Sequence, residues 1–221
     1  MNKLQIIADL DDFIVVNKPA GLNFHSEDGE AGLVALCASQ LGYQLYPVHR
    51  LDKVTSGLVV LPKHSDVAAT FTQMFSARAV NKFYIALSDT KPKKKQGWVK
   101  GDMGKARRGA YKLLKSHDNP AITRFYSYSL AANVRGYVLK PYSGKTHQLR
   151  VAMKSLSAPI LGDGLYGGSQ SDRTYLHAYA LEFRYKQQQF HFCATEFEGE
   201  MAPYFTQLAG EIDNQPWQLD W

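Results

Sequence analysis

The sequence predicts an α+β domain around a mixed sheet, on three observations. Short apolar runs, each stopped by a turn signal, recur from one end of the chain to the other. Between them lie stretches whose apolar residues return at helical spacing. No Pro/Gly/Ser-rich linker or internal repeat divides the 221 residues, so a single domain over 1–221 is expected.

In "FIVVNKPAG", Phe13–Val16 reads as a buried strand that the turn Lys18-Pro19-Ala20-Gly21 stops. "GLVALCASQLG" suits a helix, with Leu33, Leu36, Cys37 and Leu41 on one side and Gly42 as its stop. "SGLVVLPK" is a second apolar strand, ended by Pro62. "SDVAATFTQMFSAR" predicts a helix capped by Ser65, with Val67, Phe71, Met74 and Phe75 at helical spacing. "KFYIALS", "ITRFYSYSL" and "GYVLKPYSG" read as strands, the second alternating about Phe125. In "THQLRVAMKSLS", Leu149, Ala152, Met153 and Leu156 form one apolar helix face. His147, Arg150 and Lys154 form a neighbouring face expected to present positive charge. Strands at "ALEFRY" and "QFHFCAT" and a helix from near Ala202 complete the chain.

An apolar share of 45% with 12% aromatics supports a packed core and argues against disorder. No run approaches the ~18–20 apolar residues of a membrane span. The opening "MNKLQIIADLDDF" holds three aspartates and no secretory-length apolar run. Cys37 and Cys193 are far apart with no CxxC, which indicates neither a zinc site nor a disulfide framework. A cytoplasmic protein with no membrane partner is expected. The formal charge of +6 is unevenly placed. Ten cations but only one acid, Asp102, fall between Lys91 and Lys115, so that segment carries +9 and the remainder −3. Lys93, Lys94, Lys95, Arg107 and Arg108 are its densest part. A local cationic segment is either a solvated loop or a footprint for a polyanion, and the interleaved Trp98 and Tyr111 favour nucleic acid.

Three short patterns fail on context. "GDGLYGG" matches a dinucleotide loop at Gly162, Gly164 and Gly167, with Glu182 at the expected distance. Pro159 precedes it, however, and no periodic helix follows, so a glycine-rich loop near a site is the better reading. His49-Arg50-Leu51-Asp52 transposes the kinase order and lacks the other kinase motifs. A zinc deaminase needs H-x-E and P-C-x-x-C, and neither occurs; His191 and Cys193 read as packing residues.

"HRLDKVTSG", residues 49–57, is the remaining candidate. A carboxylate beside guanidinium groups stays anionic and can serve as nucleophile or base. Taken alone, the stretch reads more readily as a surface turn with a structural Asp–Arg pair. It does not stand alone. "HRLDKVTSG" resembles the aspartate motif of the RluA-type RNA pseudouridine synthases, and the resemblance continues in order along the chain. "DDFIVVNKPAGL" is similar to the family's opening strand and turn, "KFYIAL" to its tyrosine motif and "GKTHQLRV" to its arginine motif. "APILGDGLYGG" and "LHAYAL" are similar to its closing segments.

The resemblance implies a mixed, largely antiparallel sheet flanked by helices and loops. It also implies isomerisation of specific uridines in ribosomal or transfer RNA, with no cofactor and no metal. Asp52 would be the nucleophile or base, Tyr84 the ring that stacks on an everted uracil, and Arg150 the partner of the aspartate. Arg50 would enter the RNA as the uridine leaves its stack. His49, Thr55, Lys82, His147 and Leu176 lie in the matched motifs and are expected at the substrate, with the basic segment on phosphates. A monomer is expected. Many relatives carry a separate N-terminal RNA-binding domain; family-like sequence begins here by about residue 6, so none is expected. Ala152 stands where relatives usually have histidine, which reads as a packing change. The rival function is a non-catalytic RNA-binding protein or RNA chaperone on the same fold.

Overall fold

The structure is a computed structural model that describes residues 3–221. In chain order its strands are β1 (Gln5–Asp9), β2 (Phe13–Lys18), β3 (Ser56–Pro62), β4 (Val80–Ser88), β5 (Gln96–Gly101), β6 (Met103–Lys105), β7 (Tyr111–Leu113), β8 (Ala121–Ala131), β9 (Val134–Pro141), β10 (Leu176–Tyr185) and β11 (Gln188–Cys193). Its helices are α1 (Leu33–Leu41), α2 (Ser65–Ser76), α3 (Gln148–Ser155) and α4 (Ala202–Glu211). None is long and apolar enough to cross a membrane. The chain forms two compact units, one running to Asn81 and resuming at Ala178–Ala194, the other comprising Lys82–His177 and Thr195–Trp221.

In the first unit β2 pairs antiparallel with β1 and β3, β3 neighbours β10, and β10 pairs antiparallel with β11. Phe13–Val16 and every residue of β3 are buried. That explains why these strands read as continuous apolar runs: neither face is left to water. Val67 and Phe71 of α2 pack on Phe13, Val15, Leu58, Val60 and Phe183. The Phe71 ring lies 5.1 Å from that of Phe13 and 5.2 Å from that of Tyr185. Helix α1 buries Leu33 and Cys37 and ends at Gly42, whose left-handed backbone donates back to the Ala38 carbonyl. Burial pushes the Cys37 thiol up to about 12, so it is a packing group and not a nucleophile at neutral pH.

The second unit is an antiparallel run in the order β4-β9-β8-β5, with a two-stranded ribbon of β6 and β7. Its core joins Phe125, Tyr137 and Leu139 of the sheet to Leu149, Ala152 and Met153 of α3. Ala152 is 2% exposed inside this cluster and is a packing position.

Three expectations are corrected. Ser65 is the first helical residue and His64 the cap, with no side-chain cap bond, because the chain enters extended at His64. The basic segment is not one loop, since β5, β6 and β7 run through it: the alternation in "QGWVKG" buries Val99 and exposes Trp98 and Lys100. The lysine content of the segment masks that two-residue period. Arg150 lies inside the protein at 5% exposure, so α3 does not present it on a cationic surface.

Candidate active site

Asp52 sits in the irregular segment between α1 and β3, half-buried between a buried Leu51 and an exposed Lys53. The segment is held from beneath. Lys18, at the end of β2, is 0% exposed, and its ammonium donates to the carbonyls of Pro19, Leu22 and Lys53 at 2.9, 2.8 and 3.1 Å. The Gly21 N–H donates to the same Lys53 carbonyl at 2.8 Å, and the Thr55 N–H closes a turn on the Asp52 carbonyl at 3.0 Å. A buried ammonium costs several kcal/mol unless its donors are matched. Matching them to three carbonyls ties the "NKPAG" turn to the residue beside Asp52.

The rest of "HRLDKVTSG" serves the same placement. The His49 Nε2 accepts from the Val60 N–H at 2.9 Å, and its ring stacks on Phe75 at 4.2 Å, so His49 fastens the loop to β3 and α2. Thr55 and Ser56 are each 3% exposed, and Arg50 is exposed. Gly57 has φ +113, and a Cβ there would lie 2.3 Å from the Ala178 carbonyl oxygen, so β3 meets β10 only through glycine.

Arg150 is held on α3 by a carboxylate that the motif reading did not include. Its Nε and Nη2 donate to Asp163 Oδ2 and Oδ1 at 2.7 and 2.8 Å, with side-chain exposures of 6% and 1%. The guanidinium also lies 4.9 Å from the centre of the Tyr166 ring. The Tyr166 hydroxyl accepts from the Tyr111 N–H of β7 at 2.9 Å and meets His147 Nδ1 at 2.8 Å. The expected glycine-rich loop therefore delivers Asp163 and Tyr166, and its short turn at Gly164–Tyr166 opens no α-helix of the kind a dinucleotide loop needs. Gly162, with φ +78, has no room for a Cβ, which would fall 1.8 Å from the Arg173 carbonyl oxygen.

His147 enters α3 in the left-handed region at φ 56, a strained conformation for a non-glycine residue. Gln148 fixes that entry. Its Oε1 accepts from the Ser143 hydroxyl and the Lys145 N–H, and its Nε2 donates to the Ile122 carbonyl and the Thr123 hydroxyl, at 2.8–3.0 Å. Every strong site on this buried amide is matched. Asp163, Tyr166, Gln148 and Lys18 were the functional neighbours that sequence reasoning missed; the only available signal was their place inside matched motifs.

Tyr84 stands opposite Leu139 in the β4–β9 register, half-buried with its ring against the second core. Lys82 shares that strand face, two residues earlier. Burial lowers the Lys82 pKa below its ordinary 10.5, and its Nζ lies 4.0 Å from where a Cβ on Gly144 would be. Leu176 packs in the core beside Leu149 at 3% exposure. Lys93, Lys94 and Lys95 are exposed before β5, and Arg107 and Arg108 are exposed at the tip of the β6–β7 ribbon.

Two outcomes follow. Asp163→Asn leaves Arg150 as an uncompensated buried charge, and urea unfolding should show a loss of ~3–5 kcal/mol. Lys154→Gln, at an exposed site on the same helix, should stay within ~0.5 kcal/mol; equal losses would contradict the assignment. For Lys82, folding favours the neutral amine, so the folded chain binds fewer protons than the unfolded one between its depressed pKa and 10.5. The resulting penalty is complete below the folded pKa and vanishes as pH rises to 10.5. NMR titration of the Lys82 side chain should give a midpoint below 10.5, and a midpoint at or above that value would refute the burial effect.

Residues 12–155 match the family model described as RNA pseudouridylate synthase. An RNA pseudouridine synthase of Haemophilus influenzae is 54% identical over 186 residues, which cover 83% of each chain. The ribosomal large subunit pseudouridine synthase C of Rickettsia prowazekii is 32% identical over 78% of this chain, which spans 61% of that protein. Among solved structures, human RNA pseudouridylate synthase domain containing 4 superposes with a TM-score of 0.70 at 25% identity, covering 90% of each chain. The α+β fold, the ordered motifs and these matches together place the chain in the RluA-type RNA pseudouridine synthase family, whose members are isomerases.

Proposed function

We propose that the protein converts uridine to pseudouridine in ribosomal RNA, with Asp52 as the reacting carboxylate. The observation that carries this reading is the bracing of the Asp52 segment: a wholly buried ammonium, Lys18, clamps the adjacent residue while Asp52 itself stays partly exposed. A structural turn has no need of such support, whereas a reacting group must be held close to one geometry. The ribosomal target rests on the names of relatives such as the Rickettsia protein; transfer RNA remains within the same proposal as the alternative substrate.

The chemistry is an isomerisation. The bond between uracil N1 and sugar C1′ breaks, the base turns, and C5 bonds to C1′. The proton leaves C5 and one is gained at N1, so no electrons enter or leave. Asp52 supplies the lone pair, either at the sugar carbon or as the base. Uracil in a stacked helix is out of reach, and everting it costs a few kcal/mol. In this proposal Tyr84 offsets that cost by stacking on the base, and exposed Arg50 does so by filling the gap it leaves. Arg150 contributes a fixed positive charge held by Asp163. The exposed Lys93–Lys95 and Arg107–Arg108 groups grip phosphates. His49 and Thr55 act by holding the loop, and Lys82 and His147 flank the substrate. The protein works as a cytoplasmic monomer.

Uridine tritiated at C5 reports the new bond directly. The wild type should release tritium from RNA of the native host and Asp52→Asn should not. Binding of that RNA by both proteins with release by neither would leave only an RNA-binding protein.

A further inference from the structure

A row of side chains crosses the second unit on the sheet face opposite Tyr84. Trp98 of β5 stands directly across from Arg124 of β8, and Arg124 directly across from Lys140 of β9. Phe83 of β4 continues the row: it precedes Tyr84, which pairs with Leu139, and the Lys140 Nζ lies 5.2 Å from its ring centre. Because successive side chains on a strand point to opposite faces, Phe83 and Tyr84 face opposite ways. Whatever the row binds is therefore not the base that stacks on Tyr84.

The row sets two neighbouring cations, Arg124 and Lys140, between flat rings. Trp98 is 42% exposed, the most exposed of the large apolar side chains among the described residues. Lys100 and Arg124 lie 4.7 and 5.0 Å from its ring centre, and Tyr142 lies 5.3 Å away. Lys140 is also 5.2 Å from the Tyr142 ring. One end is closed by the C-terminal segment, where the Asp220 carbonyl accepts from Arg124 and Tyr126 and Trp221 packs on Phe83 and Tyr126. Phe83 itself is 0% exposed and packed against Trp221, so the open part of the row runs from Trp98 to Lys140. Two interstrand steps of about 4.8 Å make it about 10 Å long, the length of about three stacked nucleotides at about 3.4 Å each.

We propose that this row is a second RNA-binding surface, which takes an unpaired, uridine-independent segment of the substrate RNA on its Trp98 and Tyr142 rings. Unpaired RNA fits because it offers both things the row matches. Every base presents a π-face to an aromatic ring, and the phosphates that run beside it offer negative charge to the cations. Duplex RNA fits poorly, since its base faces are already stacked. The inference rests on the RNA-directed reading above and deepens it, since it names a substrate feature outside the reacting uridine.

The test uses the full chain and a fluorescent oligoadenylate 12-mer, which contains no uridine and cannot react. Anisotropy should show binding that weakens about tenfold in Trp98→Leu, the loss of about one stacked base. Trp98→Tyr, which keeps a ring, should retain most of it. Arg124→Gln and Lys140→Gln should each reduce the salt slope by about 0.7. A matched RNA duplex should bind the wild type and Trp98→Leu alike. Equal oligoadenylate affinity in the wild type and a folded Trp98→Leu would overturn the proposal. So would self-association that Trp98→Leu abolishes while oligoadenylate binding persists, because the face would then belong to a protein contact. Failure of tritium release with the predicted oligoadenylate losses would instead remove the isomerase reading and leave this surface standing.

Discussion

The ion pair between Arg150 and Asp163 is the constraint on which the second unit's site depends. Its two charges lie almost wholly out of water, at side-chain exposures of 6% and 1%. Such a pair is worth little as net stability, because desolvation consumes most of the attraction. Its value is geometric. Two parallel N–H···O bonds allow the guanidinium one orientation, and the "GDGLYGG" stretch must come back against α3 to supply the carboxylate. Once there, it places the Tyr166 ring on the guanidinium, and the Tyr166 hydroxyl gathers His147 and the backbone of Tyr111. The basic ribbon is thus tied, through one phenol, to the helix that carries the arginine.

The first unit uses the same device with a different cation. Lys18 is buried and donates to three carbonyls, one of them on the residue next to Asp52. In both units a buried cation with assigned acceptors fixes an irregular segment that propensity alone would leave loose. This is a physical reason for the lysine of "NKPAG" and the aspartate of "GDG" to lie within motifs without acting on the substrate. It also separates the roles inside "HRLDKVTSG". His49, Thr55 and Gly57 build the loop, whereas Arg50 and Lys53 are exposed and Asp52 is half-buried.

Much of the fold was legible because burial writes a period into the sequence. β2 and β3 show as apolar runs, and α1, α2 and α3 show as helical spacings that buried Leu33, Val67, Phe71 and Met153 account for. β1 escaped notice because it is a half-buried edge strand with little contrast, and β6 and β7 because each is three residues long. Around the candidate site the limit was different. Arg150 could be assigned to a helix face, but its burial depends on Asp163, 13 residues on and across a turn. No local period reports such a pairing. The fourfold matching of Gln148 and the Trp98–Arg124–Lys140 row likewise exist only once strands distant in sequence are set side by side.

The proposed role of Asp52, isomerising uridine in ribosomal RNA from its braced segment, has a direct consequence in the host's ribosomes. Mapping pseudouridine across the large-subunit RNA of host cells tests it most directly, comparing cells that lack the protein with the same cells supplied with wild type or Asp52→Asn. One or a few positions should lose pseudouridine without the protein, regain it with the wild type and stay unmodified with Asp52→Asn. Restoration by Asp52→Asn, or a ribosomal map unchanged by loss of the protein, would contradict it.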